Sequence, residues 1–122
     1  MKRALPLAAV AAALVLAGCG RGTQHAAIVG GNADRGKELL KDFGCGSCHV
    51  IPGVSGADGR VGPSLADVRT ADSTIAGVLP NTPENDVKWI MDPKRYSPKT
   101  LMPDLGVRQD QARDIVAYLY GR

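Results

Sequence analysis

Cys45-Gly46-Ser47-Cys48-His49 places two thiols three residues apart and an imidazole directly after the second. Two thiols at that spacing can each add to one vinyl group of a haem, and the adjacent His can then ligate the iron through a ring nitrogen. The same residue types also serve a dithiol redox centre or half of a zinc site. Each alternative asks for something more. A structural zinc wants four Cys or His ligands, and the remaining candidates are Cys19 and His25. A thioredoxin-like dithiol belongs beside a βαβ pattern, and no convincing strands flank this run.

A haem held from one side wants a second axial ligand. A soft thioether suits a low-spin iron and raises its reduction potential relative to a second nitrogen ligand. Met102 lies in Ser97-Pro98-Lys99-Thr100-Leu101-Met102-Pro103, where prolines restrict the backbone on both sides. A stiff loop of this kind can hold a weak ligand in place. Met91 follows Trp89 and Ile90 at helical phase, and core packing is its expected role. His25 lies in a glycine-rich stretch and reads as a solvated linker residue.

The N-terminus is an address. Lys2 and Arg3 precede an apolar stretch from Ala4 to Ala17, too short to span a bilayer comfortably and right for the core of a secretory signal. Leu16-Ala17-Gly18-Cys19 resembles the lipobox of bacterial lipoproteins, which implies cleavage before Cys19, lipid on its sulfur and acylation of the new amino group. Several acyl chains anchor a protein stably where a single one is marginal. The expected organisation is a signal peptide over 1–18, a lipidated Cys19 with a flexible tether over 19–31, and one domain over 32–122. The expected location is outside the cytoplasm, lipid-anchored to a bacterial membrane, on its periplasmic face or at the cell surface. All three cysteines then have a use, one in lipid and two in haem, and no disulfide is expected.

Loss of the signal removes Lys2 and Arg3 and lowers the formal charge from +3 to +1, two cations fewer. A nucleic-acid partner would call for a concentrated basic surface, and none is present. The domain has few aromatics: Phe43, Trp89, Tyr96, Tyr118 and Tyr120. A chain this small buries a limited share of its surface, so a large flat apolar cofactor is expected to complete its core.

Asn32 can cap a first helix running to about Asp42, with Gly36, Leu39, Leu40 and Phe43 on one face. A last helix is expected over about Gln109 to Tyr120, with Ala112, Ile115, Val116 and Leu119 as its apolar stripe. Gly36 would let these two helices cross closely. Thr82-Pro83-Glu84 opens a third helix that stops near Asp92-Pro93. A weaker helix is expected over Ser73 to Leu79. The segment from Gly53 to Gly62 reads as loop.

These features together resemble a small monohaem cytochrome c. Cys45 to His49 matches the family's haem-binding run, Gly62-Pro63-Ser64-Leu65 its Gly-Pro-x-Leu segment, and Leu101-Met102-Pro103 its distal Met loop. Gly36 with Phe43, and Tyr118 with Leu119, match its terminal helix pair. The middle, from Thr74 to Asn85 and on through Trp89-Ile90 and Asp92-Pro93, is similar to the cytochrome c domain fused to subunit II of some haem-copper oxidases. The likeness covers about residues 33 to 120. Subunit II proper also has membrane helices and a dinuclear-copper domain, for which this chain has no room. Arg108 stands where that branch has a helix-capping Ser or Thr, which weakens the local cap.

The resemblance implies an all-α fold of about four or five short helices wrapped around one covalent haem c. It implies that the Pro63 carbonyl accepts the His49 Nδ1 proton, with Leu65, Trp89, Tyr96 and Arg60 as further surroundings of the haem. For Trp89, core packing is the plainer expectation. The expected function is electron transfer rather than catalysis: a tethered carrier in a respiratory chain, between partners such as a quinol-cytochrome c reductase and a haem-copper oxidase. Lys94, Arg95 and Lys99 surround the Met loop and can steer an acidic partner. A haem sensor with an open sixth site and a thiol-disulfide oxidoreductase are the alternatives.

Overall fold

The computed structural model describes residues 30–69 and 74–122. The expected signal peptide, Cys19, His25 and most of the expected tether lie outside the described residues, as does Ser73. Four α-helices are described: α1 (Ala33–Asp42), α2 (Pro83–Met91), α3 (Pro93–Tyr96) and α4 (Gln109–Tyr120). A 3-10 turn covers Cys45–Ser47, and a two-stranded antiparallel hairpin joins β1 (Thr74–Ile75) to β2 (Leu79–Pro80).

Local chemistry explains most of these boundaries. The Asn32 side chain accepts from the Arg35 amide at 2.9 Å and starts α1. Thr82 does the same for Asn85 at 3.2 Å, with Pro83 in the first turn of α2. Asp92 ends α2 and caps α3, its Oδ1 accepting from Arg95 N at 3.1 Å. Sequence periodicity gave no sign of α3, because four residues make a single turn. The Asp-Pro pair was the available signal.

Arg108 precedes α4 and cannot cap it, because a guanidinium has no acceptor. The compensation comes from within the helix: Gln111 Oε1 reaches back to accept from Arg108 N at 3.0 Å. Half of a capping box therefore survives without a Ser or Thr.

The weak helix expected from Ser73 to Leu79 is not formed: its described part is the hairpin. Thr74 pairs with Pro80 and Ile75 with Leu79. Ala76 and Gly77 both adopt positive φ, at 48° and 71°, and Val78 N donates to Ile75 O at 2.9 Å. Two successive left-handed residues reverse the chain and end any helix.

α4 is the centre of the fold. The expected stripe is buried, and so are Asp114, Ala117 and Tyr120. The helix is enclosed because α1 and α2 both pack on it. The crossing with α1 is close: a Cβ on Gly36 would run into the Asp114 carbonyl group, and one on Gly31 into that of Arg113. Asp114, only 4% exposed, accepts from Asn32 N at 2.6 Å and from Arg35 Nε at 2.9 Å and Nη2 at 3.1 Å. This carboxylate ties the start of α1 to the middle of α4.

The loop after the Cys run is more structured than its glycines suggest. Ile51, Val54 and Ala57 are buried in the main core with Leu40, Ile115 and Val116. Gly44, at φ 68°, turns the chain out of α1 into the 3-10 turn, a conformation that favours glycine.

Candidate haem site

The Cys run is held between α1 and the loop that follows it. Cys48 N and His49 N both donate to Cys45 O, at 3.2 and 3.1 Å, which winds the run into a tight turn. The loop then folds back over it. Gly59 N donates to Gly46 O at 3.0 Å, and Gly62 N to Cys48 O at 2.8 Å. Gly46 and Gly59 make this close approach possible, since a Cβ at either would strike the opposite strand of chain.

The last of these bonds brings Pro63 to His49. His49 Nδ1 lies 2.7 Å from Pro63 O. A carbonyl can only accept, so Nδ1 carries the proton and Nε2 keeps its lone pair for a metal. Gly62 lies against the face of the same ring, where a Cβ would collide with the imidazole. The ring is thus held by one hydrogen bond at its edge and by bare backbone beside it.

Cys45 and Cys48 are both free thiols, half-buried. Burial pushes the Cys45 thiol above its ordinary range, and the neighbouring Cys48 adds to the effect. A dithiol redox centre depends on the opposite shift, a thiol lowered toward neutrality. No group of three or more His, Cys, Asp or Glu side chains able to hold a metal is found among the described residues. Two half-buried thiols on one turn beside an imidazole fit thioether attachment of a haem.

Met102 is half-buried in the loop after α3, its amide donating to Thr100 Oγ1 at 3.2 Å. Met91 instead packs against the main core. Large apolar side chains stand uncovered by polypeptide beside Pro63 and Met102: Val61 is 66% exposed and Leu101 83% exposed. Exposed apolar side chains so close in sequence to the Pro63 and Met102 segments suit a flat apolar macrocycle.

Leu65 packs against the core and donates its amide to Val50 O at 2.9 Å. Trp89 is buried, Tyr96 is half-buried, and Arg60 is exposed. Lys94, Arg95 and Lys99 are all exposed. Lys94 is not a loose surface charge, for its Nζ donates to Thr100 O at 3.1 Å.

The family model for cytochrome c matches residues 33–121. The chain belongs to the cytochrome c family. This cytochrome c is 31% identical to a cytochrome c of Dictyostelium discoideum over 107 residues, which cover 75% of this chain and 92% of that one. It is also 31% identical to a cytochrome c of Gossypium barbadense over 101 residues, covering 73% and 88%. A cytochrome c oxidase subunit 2 of Alkalihalophilus pseudofirmus (strain ATCC BAA-2126 / JCM 17055 / OF4) is 28% identical over 88 residues. That match covers 71% of this chain, which spans only a quarter (25%) of the oxidase subunit. No solved structure matches the chain. Membership of the family means a covalently bound c-type haem and the work of an electron carrier rather than an enzyme. The all-helical fold with its small hairpin agrees with that assignment.

Proposed function

We propose that this cytochrome c is a membrane-tethered carrier of single electrons, with one haem bound through thioethers to Cys45 and Cys48 and ligated by His49 and Met102. The observation that carries the reading is the 2.7 Å contact of His49 Nδ1 with Pro63 O. It leaves Nε2 as the ligating atom and fixes the ring. When bound, the haem supplies a one-electron ferric–ferrous couple. The chain's own residues would hold it: Cys45 and Cys48 through thioethers, the His49 ring and the Met102 sulfur as ligands, with Leu65, Trp89 and Tyr96 excluding water around it. Arg60 is free to pair with a propionate.

Cys19 carries the lipid anchor, after removal of residues 1–18, and residues 20–31 are the tether. The protein works outside the cytoplasm, on a bacterial membrane, in a respiratory chain. It exchanges electrons with partners such as a quinol-cytochrome c reductase, as donor, and a haem-copper oxidase, as acceptor. The likeness to an oxidase subunit supports the acceptor. No helix among the described residues is long and apolar enough to cross a membrane.

The visible spectrum tests the ligands. The reduced protein is expected to show sharp α and β bands, and the ferric protein a weak far-red band from iron–thioether bonding. Met102→Ala removes that band and Met91→Ala keeps it. A band that survives Met102→Ala overturns the axial assignment, and rapid carbon monoxide binding by the reduced wild type at neutral pH returns the open-site sensor reading.

A further inference from the structure

The geometry points to Lys94 and Thr100 as positioning residues for Met102, joining helix α3 to the ligand loop as a strap. The inference rests on Met102 being the axial ligand. Three hydrogen bonds make the strap. Thr100 N donates to Ser97 O at 3.0 Å, closing a turn directly after α3. Lys94 Nζ, from the first turn of α3, donates to Thr100 O at 3.1 Å. Thr100 Oγ1 accepts from Met102 N at 3.2 Å. All three polar groups of Thr100 are therefore used: its N–H and carbonyl toward the helix and its turn, its hydroxyl toward the ligand.

α3 is a firm anchor for such a strap. Pro93 is buried, the Asp92 side chain caps the helix, and Asp92 N donates to Lys88 O at 3.1 Å at the end of α2. Pro98 stiffens the turn between them, and Pro103 restricts the backbone of Met102 itself. A thioether is a weak ligand, so its occupancy depends on how rarely its loop moves away. The Lys94 ammonium is a charged donor to a backbone carbonyl, the stronger kind of hydrogen bond. Of the three cations around the Met loop, Lys94 has a structural task that Lys99 lacks among the described residues.

The test uses the full-length ferric holoprotein and imidazole as the probe, whose binding rate reads how often the Met102 sulfur leaves the iron. Lys94→Met keeps the aliphatic stem and removes the donor, and Thr100→Val removes the hydroxyl. Each is expected to speed imidazole binding about three- to tenfold, the factor carried by one net hydrogen bond. Combined, they are expected to gain less than the product of the two, because both act through one short loop. Lys94→Arg restores a donor and brings the rate back to within about twofold of wild type, well inside the spread of one hydrogen bond. Lys99→Met removes a neighbouring charge without this bond and leaves the rate alone. Wild-type rates in Lys94→Met, or an equal acceleration in Lys99→Met, overturn the strap while the far-red band still reports Met102 as ligand. Survival of that band in Met102→Ala is a different failure: it removes the ligand assignment and the strap together.

Discussion

The Tyr120 hydroxyl donates to the Asp86 carboxylate across 2.6 Å, inside the contact between α4 and α2. Asp86 is 9% exposed, and burial lifts its pKa from 3.8 to about 6 despite the Tyr120 bond, which acts the other way. The same carboxylate, with burial the larger cause, pushes the Tyr120 phenol far above its ordinary range. Asn81 completes the group, lying 3.3 Å from the Tyr120 oxygen and donating to Val68 O at 2.9 Å.

The raised Asp86 pKa sets a direction for stability against pH. Between 3.8 and about 6 the folded state holds a proton that the unfolded state has released. Stability from this group is therefore full at the acid end, falls as pH rises through that window, and is level above it. The ceiling on the change is about 3 kcal/mol for a shift of this size. Asp86→Asn keeps an acceptor for Tyr120 without the charge. Urea midpoints of wild type and variant, compared from pH 4 to 7.5, should diverge in favour of the variant as pH rises; a constant difference contradicts the assignment.

Gly36 is the point at which α1 and α4 meet. A Cβ there would press on the backbone of Asp114, which has no rotamer by which to yield. Gly36→Ala gains helix propensity, yet it should destabilise the protein by about 1–3 kcal/mol, the range for an overfilled core. Thermal unfolding of the holoprotein decides the matter, and an unchanged or higher Tm would show that the helices can separate cheaply.

Asp114 binds the Asn32 amide and Arg35 from a buried position. Asp114→Ala strands the Asn32 N–H, at about 1–3 kcal/mol for an unmet buried donor. Asp114→Asn keeps an acceptor for that amide and should cost less. The order of the two denaturation midpoints is the check. Equal losses would place the stabilisation in the Arg35 pair, which is largely exposed on the arginine side and weakened by salt.

Gly62 leaves room for the His49 ring. Gly62→Ala drives a methyl group into the imidazole and should disturb iron ligation while the thioethers still hold the haem. The expected protein keeps covalent haem on a denaturing gel and shows a shifted, broadened visible spectrum. A wild-type spectrum would mean that the ring is free to move aside.

Cys19→Ser removes the proposed lipid site and nothing described in the fold. The variant should leave the membrane fraction and keep its haem spectrum. Retention in the membrane after salt washing would point to a different anchor.

Where the sequence was legible, the signals were local. α1 and α2 begin at residues whose side chains or ring geometry suit a helix start, and the apolar phase of α1, α2 and α4 runs true for two turns or more. The hairpin over Thr74–Pro80 was not legible, because strands of two residues have no period and Leu79-Pro80 looks like a helix end. Asp86 and Asp114 give no local sign of burial, because a carboxylate is ordinarily solvated and only a partner makes its burial tolerable. Lys94 read as a surface charge because nothing in its neighbours announces the Thr100 carbonyl.

Sequence alone settled the chemistry available: two thiols and an imidazole on one turn, a thioether between prolines, and helices that begin and end where their caps lie. Tertiary structure decided which of those atoms meet. His49 finds the Pro63 carbonyl across 14 residues, and Asn32 finds Asp114 across 82. The His49–Pro63 pair was implied by the family likeness and the close crossing at Gly36 by its missing side chain, but the bond from Asn32 to Asp114 depends on a closure that no local pattern encodes. Such pairings arise when burial of Leu40, Ile51, Ile115 and Val116 draws distant segments together and every polar group caught inside must find a partner.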